Sequence, residues 1–184
     1  MSNKNLVLVI ATDGFEDVEL VLVRDILIRQ GYDVDLAFDT DKEYVFSTYG
    51  LKIKVDLRLD NILGSLGQYR ALYIPGGIGV EKLEKNPSVY KIVQHFYENN
   101  KYIGALCMAP IILANAKILN GKRAIVYPNK KYQEILIKEG AHLEATKCKY
   151  DESCSVVIDG KIITGLDMYT SFKFANEFVK LIGK

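Results

Sequence analysis

Residues 102–113 read YIGALCMAPIIL, and this stretch decides the fold of the chain. Its first five residues form a compact apolar run, which is typical of a strand buried on both faces of a sheet. The run stops at Cys107, and a segment that contains Pro110 and has apolar residues at helical spacing follows at once. The sequence therefore predicts a strand, a sharp turn and a helix, with the cysteine at the turn.

Cys107 is a candidate nucleophile because of where this turn places it. A residue beyond the carboxyl end of a strand and at the amino end of a helix faces unpaired backbone N–H groups and the positive end of the helix dipole, which favour a thiolate. The strand-to-helix elbow of α/β hydrolases places its nucleophile in the same way, although only Gly104 precedes the cysteine here. The alternative is a buried, inert cysteine.

Composition limits the size of the protein and its partners. With 184 residues, 49% hydrophobic content and a formal net charge of +1, residues 1–184 fit a single domain with a substantial core. The 24 basic and 23 acidic residues are interspersed, so we expect no nucleic-acid partner. Because no apolar segment approaches the roughly 20 residues that span a bilayer, we expect a soluble, unprocessed protein without a membrane partner.

The cysteine and histidine counts argue against a disulfide framework and a metal site. Three cysteines suit a reducing cytoplasm, where we expect the protein to reside. Cys148 and Cys154 lie six residues apart, a spacing that matches no zinc motif. Since His95 and His142 are the only histidines, we expect no metal.

Strand and helix patterns alternate along the chain. Strands are predicted at residues 6–11, 34–38, 71–74, 102–106 and 123–126, with hairpins around Gly50 and within 155–164. Helices are predicted from Glu16 to Gly31, after Cys107, and at residues 87–99, 130–139 and 170–182. This alternation predicts an α/β fold with a flavodoxin-like, doubly wound, mostly parallel sheet and helices on both faces.

Three predicted strand ends carry residues suited to chemistry, and ligands of such sheets bind outside the carboxyl ends of the strands. The first strand leads to Glu16 and Glu19, the third to Gly76 and Gly77, and the central one to Cys107. The glycine pair would let backbone N–H groups converge on an oxyanion, although an ordinary glycine turn is equally consistent with it. Glu16 suits the first helical turn, where it complements the helix dipole, whereas Glu19 lies one turn further in.

Four motifs, in this order, give the chain a resemblance to the ThiJ/PfpI superfamily. They are GFEDVE at residues 14–19, PGG at 75–77, ALCMAP at 105–110 and TSFKFA at 170–175. The resemblance covers nearly the whole chain and is strongest to the branch that contains the human parkinsonism-associated protein and relatives described as chaperones or glyoxal-processing enzymes. It implies that Cys107 is the reactive thiol, that Glu19 is the carboxyl group beside it, and that Gly76 and Gly77 line an anion pocket.

Four positions depart from this family pattern. Met108 stands where the protease-like branch has a histidine after the cysteine, so we expect no peptidase activity. Tyr127 stands where the parkinsonism-associated branch has a pocket histidine, which removes a group that transfers protons readily near pH 7. Met168 replaces a proline and Tyr49 a pocket arginine. We therefore expect a pocket that is more apolar than that of the parkinsonism-associated branch and is bordered by Met108, Tyr127 and Glu16.

Electrostatics limits the charge that the predicted pair can carry. An ionised Glu19 would repel a Cys107 thiolate, whereas a protonated Glu19 could donate a hydrogen bond to it. We therefore expect Glu19 to be protonated and Cys107 ionised near neutral pH, with the two groups titrating as a coupled pair.

Two functions are consistent with these residues and the resemblance. In the first, Cys107 and Glu19 convert a small 2-oxoaldehyde such as methylglyoxal to a 2-hydroxy acid without a cofactor, or act as a deglycase on glycated amines. In the second, peroxide oxidises the same cysteine, and the protein is an oxidative-stress sensor or redox-regulated chaperone. We favour the enzyme because a lined oxyanion pocket exceeds what a sensor requires. The resemblance also implies a homodimer, with Val21 and Val23 of the first helix at the interface.

Overall fold

A computed structural model describes residues 5–144 and 155–183, so Cys148 and Cys154 lie outside the described residues. The strands are β1 (Leu6–Ala11), β2 (Asp33–Phe38), β3 (Tyr44–Phe46), β4 (Lys52–Lys54), β5 (Leu57–Arg58), β6 (Ala71–Ile74), β7 (Tyr102–Leu106), β8 (Arg123–Ala124), β9 (His142–Leu143), β10 (Val156–Asp159) and β11 (Ile162–Gly165). The helices are α1 (Asp17–Arg29), α2 (Leu59–Ile62), α3 (Val80–Leu83), α4 (Pro87–Glu98), α5 (Pro110–Asn115), α6 (Lys130–Lys138) and α7 (Ser171–Ile182). Two 3₁₀ helices lie at Leu63–Gln68 and Met168–Thr170.

Seven of the described strands form one sheet, in the order β10-β11-β7-β6-β1-β2-β5. Every neighbouring pair is parallel except the β10–β11 hairpin. In the middle of the sheet, Val9 of β1 lies between Leu36 of β2 and Tyr73 of β6. The predicted mostly parallel sheet is therefore confirmed, and the ends of β1, β6 and β7 meet at one edge.

Helices cover both faces of this sheet. On one face α1 packs against α7, and α7 contacts β7 and β11; on the other, α4 contacts β6 and β7. Gly104 in β7 lies under aromatic rings of α7, where an added Cβ would be 3.0 Å from Phe174. Residues 7–11 and 71–74 are buried throughout, which explains why these strands read as continuous apolar runs. The predicted α/β doubly wound fold is confirmed.

One predicted strand differs from the structure. The strand predicted at residues 123–126 is only β8, which pairs with β9 in a separate two-stranded sheet. It cannot add to β11 because both edges of β11 are already paired, and the Ile125 N–H donates instead to the hydroxyl of Thr164 (2.9 Å). The helix predicted after Cys107 is present as α5; it ends at Asn115, and Lys117 beyond it has a positive φ of 64°.

The apolar residues of α1 are divided between core and surface. Val23 is buried in the core, whereas Val18 and Val21 are exposed. The prediction of Val23 at a dimer interface is therefore wrong, because its side chain is used in the core. The homodimer itself stays a prediction, for which α1 exposes Val18, Val21 and Ile28. Within residues 5–144 and 155–183, no helix is both long and apolar enough to cross a membrane.

Candidate active site

The turn after β7 holds Cys107 in a backbone conformation that residues with a side chain seldom adopt. Its φ is 59°, in the left-handed region. Two neighbours fix it there: the Cys107 N–H donates to the Gly165 carbonyl (3.0 Å), and the Cys107 carbonyl accepts from the Tyr127 N–H (2.8 Å). The cysteine therefore sits at a sharp elbow, as the sequence predicts, with 8% of its surface exposed.

Glu19 reaches the same place from the first turn of α1. It is completely buried, and its Oε2 atom accepts a hydrogen bond from the Gly76 N–H at 2.6 Å. The Tyr73 hydroxyl donates to the Glu19 carbonyl (2.9 Å) and anchors the backbone. The carboxyl group lies beside the Cys107 thiol, and no described group hydrogen-bonds its Oε1 atom. The structure thus brings the two predicted partners together.

Gly76 lies where the end of β6 meets both side chains. An added Cβ would come within 2.6 Å of the Cys107 Cβ and 2.8 Å of the Glu19 Oε2. No side chain fits this gap, so glycine is needed for the close approach. The Gly76 N–H is already used by Glu19, which leaves it no role as a free donor to a substrate oxyanion.

Gly77 has a different task from its neighbour. Its φ is 97°, and its N–H, like that of Met108, acts to lower the pKa of the Cys107 thiol. The two glycines that the sequence assigns to one anion pocket are therefore divided between the carboxyl group and the sulfur. Their roles in catalysis stay predictions.

Burial controls the ionisation of the pair. Removal from water raises the pKa of Glu19 to about 8, although the Gly76 N–H opposes this change. Glu19 is therefore protonated at neutral pH, as expected. Burial, and then the negative charge of Glu19, also raise the pKa of the Cys107 thiol, which backbone donors lower only in part. This direction is opposite to the ionised Cys107 that the sequence led us to expect.

The pair opens into a cavity of about 430 Å³. The other lining residues are Glu16, Thr48, Tyr49, Gly77, Ile78, Met108, Tyr127, Pro128, Leu166, Asp167, Met168 and Tyr169. The predicted pocket residues Glu16, Gly77, Met108 and Tyr127 all lie in this wall, whereas Gly76 lies behind it. A larger groove of about 1050 Å³ beside α1 and β2 contains neither Cys107 nor Glu19, so the chemistry points to the smaller cavity.

Glu16 has a structural task as well as a place in the wall. It is the N-cap of α1, and its Oε2 atom accepts from the Glu19 N–H at 2.8 Å. This bond orients the first turn of the helix, which carries Glu19. Among the described residues, no three His, Cys, Asp or Glu side chains are arranged to hold a metal ion.

The sequence prediction missed several residues of the wall, and two of them matter most here. The first is Thr48, beside Tyr49, which the resemblance already places at the pocket; the Thr48 N–H donates to the Phe15 carbonyl (2.8 Å) and the Tyr49 N–H to Asp17 (3.2 Å). The second is Asp167, just beyond β11, the strand next to β7. Its position past the carboxyl end of a strand is the signal that could have identified it.

Comparison with known proteins identifies the family of the chain. The model of the DJ-1/PfpI family matches residues 5–181. An uncharacterized protein of Methanocaldococcus jannaschii is 35% identical over an alignment of 185 positions, which covers 100% of this chain and 85% of that protein. The deglycase PfpI of Pyrococcus furiosus is 26% identical over 176 residues, which are 96% of this chain and 98% of that enzyme.

Solved structures agree with the fold. The crystal structure of Drosophila melanogaster DJ-1beta matches with a TM-score of 0.85 at 26% identity and covers 100% of this chain and 92% of that one. A ThiJ/PfpI domain protein from Brachyspira murdochii matches with the same TM-score at 22% identity, covering 97% and 96%. Since the family model spans nearly the whole chain, the protein belongs to the DJ-1/PfpI family.

Proposed function

We propose that this protein converts small 2-oxoaldehydes, free or attached to amines, to 2-hydroxy acids without a cofactor. Cys107 is the nucleophile and Glu19 carries the protons. The observation that supports this proposal is a thiol and a completely buried carboxyl group that share one cavity. Relatives named deglycases, such as that of Pyrococcus furiosus, support the class of reaction.

Carbon–sulfur bond formation is the first step. Ionised Glu19 takes the proton of the Cys107 thiol while the sulfur bonds to the aldehyde carbon. The aldehyde oxygen becomes an oxyanion and then receives this proton from Glu19, which gives a hemithioacetal. Because the pKa of Glu19 is about 8, the ionised form is a minority at pH 7. We therefore expect the reaction rate to rise with pH up to about 8.

Proton transfer between the two carbons is the second step. The Glu19 carboxylate removes the C–H proton of the former aldehyde carbon and returns it to the adjacent carbon, while the hydroxyl proton moves from the first oxygen to the second. The first carbon is oxidised to a thioester and the second is reduced to an alcohol, so no external oxidant is needed. Water then hydrolyses the thioester, which releases the 2-hydroxy acid and restores the thiol.

Glycated amines fit the same scheme. When the aldehyde carbon already carries an amine, the sulfur replaces it and the amine leaves with a proton. The later steps are unchanged. The reaction would then be a deglycation.

Production of lactate from methylglyoxal, without glutathione, tests the proposal. We expect many lactates per molecule of wild-type protein, none above background for Cys107→Ala, and at least a 100-fold loss for Glu19→Gln, which keeps the shape but not the base. Glu43→Gln, at an exposed acid, is the matched control. Loss of methylglyoxal without lactate, or consumption of one equivalent only, would contradict turnover.

A second function, an oxidation sensor, is favoured by one observation: the N–H groups of Gly77 and Met108 act on the sulfur and lower the pKa of its thiol. One peroxide would convert the thiolate to a sulfenate with release of water, and a second would give the sulfinate, whose oxygens could accept these N–H groups. Mass spectrometry after peroxide treatment tests it. Accumulation of a two-oxygen adduct on Cys107, without lactate production, would favour this function over the enzyme.

A further inference from the structure

The cavity around Cys107 is acidic on one side and has no described cation to balance it. Three carboxyl groups line it, those of Glu16, Glu19 and Asp167. No lysine, arginine or histidine belongs to its described wall. Because Glu19 is protonated at neutral pH, the negative charge of the wall lies on Glu16 and Asp167, and a ligand that carries a carboxylate or phosphate group would meet it without a compensating cation in the described wall.

Two of these carboxyl groups have an oxygen that is buried and lacks a hydrogen-bond partner among the described residues. They are Oε1 of the completely buried Glu19 and Oδ1 of Asp167. A buried acceptor without a donor costs free energy, so such atoms need an explanation. Both residues line the cavity, but these two oxygens have almost no accessible surface, so Asp167 acts on a ligand through its charge and not through its Oδ1 atom.

Asp167 is held rigidly enough to discriminate between ligands. Its side chain accepts the backbone N–H of Thr170, and its own N–H donates to the Thr170 hydroxyl (3.3 Å). This reciprocal capping box fixes the carboxyl group and leaves Oδ1 unused. The residue follows β11, which pairs with β7, so it lies at the same sheet edge as Cys107.

We propose that Asp167 determines which compounds enter this cavity. Its charge, with that of Glu16, excludes compounds that carry a carboxylate or phosphate. The ligands are thus uncharged or cationic carbonyl compounds. To call them substrates rests on the proposed function, but their selection is a property of the cavity.

Alkylation of Cys107 measures this selection without turnover. We would compare iodoacetamide, which is neutral, with iodoacetate, which is anionic, and follow the Cys107 peptide by mass spectrometry so that other cysteines do not contribute. The quantity compared is the rate with iodoacetamide divided by the rate with iodoacetate, in which the thiolate fraction cancels. We expect this ratio to be about tenfold higher for Cys107 than for N-acetylcysteine, since a nearby carboxylate repels only the anionic reagent.

Asp167→Asn removes the charge and keeps an acceptor for the capping bond. We expect it to lower the rate ratio at least about threefold, whereas Asp60→Asn, at an exposed acid of α2, leaves it unchanged. Asp167→Ser, which also caps a helical turn, replaces it if the first variant does not fold. A wild-type ratio equal to that of N-acetylcysteine would overturn the proposal. So would a ratio that stays the same in the folded Asp167 variant.

Protection of Cys107 from iodoacetamide tests the same selection with carbonyl compounds. Hydroxyacetone and pyruvate have similar size, but the first is uncharged and the second carries a carboxylate. We expect hydroxyacetone to protect at a concentration at least about tenfold lower than pyruvate, and Asp167→Asn to reduce this difference. Equal protection would refute the assignment. If lactate production fails but this selectivity holds, only the proposed reaction is wrong.

Discussion

Replacing Glu19 by glutamine should make the folded protein relatively more stable as the pH rises. The wild-type carboxyl group is completely buried, and its pKa is raised to about 8 from an ordinary value of 4.5. Between these two pH values the unfolded chain has lost a proton that the folded protein still holds. Stability therefore falls with increasing pH over this window, because the unfolded state binds fewer protons. Glutamine does not titrate and removes this dependence.

The size of the effect follows from the pKa difference. Each pH unit inside the window lowers the free energy of unfolding by about 1.4 kcal/mol. Ionisation of Glu19 should therefore lower the stability of the wild type by about 3 kcal/mol from pH 5 to pH 8. At pH 5 we expect the variant and the wild type to be similar, since the glutamine oxygen can still accept the Gly76 N–H. For a domain of this size, the difference at pH 8 corresponds to roughly 6–12 °C in Tm.

Urea unfolding of both proteins at pH 5, 6, 7 and 8 measures this dependence directly. The quantity of interest is the difference in unfolding free energy between Glu19→Gln and wild type, in which the contributions of other titrating groups largely cancel. Glu43→Gln, at an exposed position, should show a difference within about 0.5 kcal/mol at every pH. If the Glu19→Gln difference is equally flat, the carboxyl group is ionised in the folded protein and the reasoning fails.

Two further predictions concern the neighbours of Glu19. Gly76→Ala would place a Cβ 2.6 Å from that of Cys107, so we expect the free energy of unfolding, measured in urea, to fall by about 1–3 kcal/mol. Gly64→Ala, whose added Cβ would have nothing within 4 Å, should lower it by less than about 0.5 kcal/mol. Equal losses would contradict the close packing at Gly76. At pH 9, Cys107 of the Glu19→Gln variant should react with iodoacetamide faster than wild-type Cys107, because the carboxylate charge that raises the pKa of the thiol is gone. Slower alkylation would show that Glu19 stabilises the thiolate instead.

Much of the fold could be predicted because its signals are local. The strands at residues 6–11 and 71–74 are apolar throughout since both faces of a parallel sheet are covered, and Cys107 interrupts such a run where the chain must turn. Strand ends in this class of fold meet at one edge, so the proximity of Glu19 to Cys107 followed from the order of elements and from the family motifs. The strand predicted at residues 123–126 was wrong, because pairing depends on which strands of the sheet have a free edge.

The sequence by itself determined the elements, the mostly parallel sheet, the cysteine elbow and the identity of its carboxyl partner. Only the tertiary structure decided the raised pKa of the thiol, the separate tasks of Gly76 and Gly77, and the place of Asp167 in the wall. Desolvation sums over atoms that are distant in the chain, and the direction of one N–H group depends on shifts of less than an ångström. Neither the desolvation nor the direction of an N–H group can be predicted from a local pattern of residues, because both depend on how the chain packs.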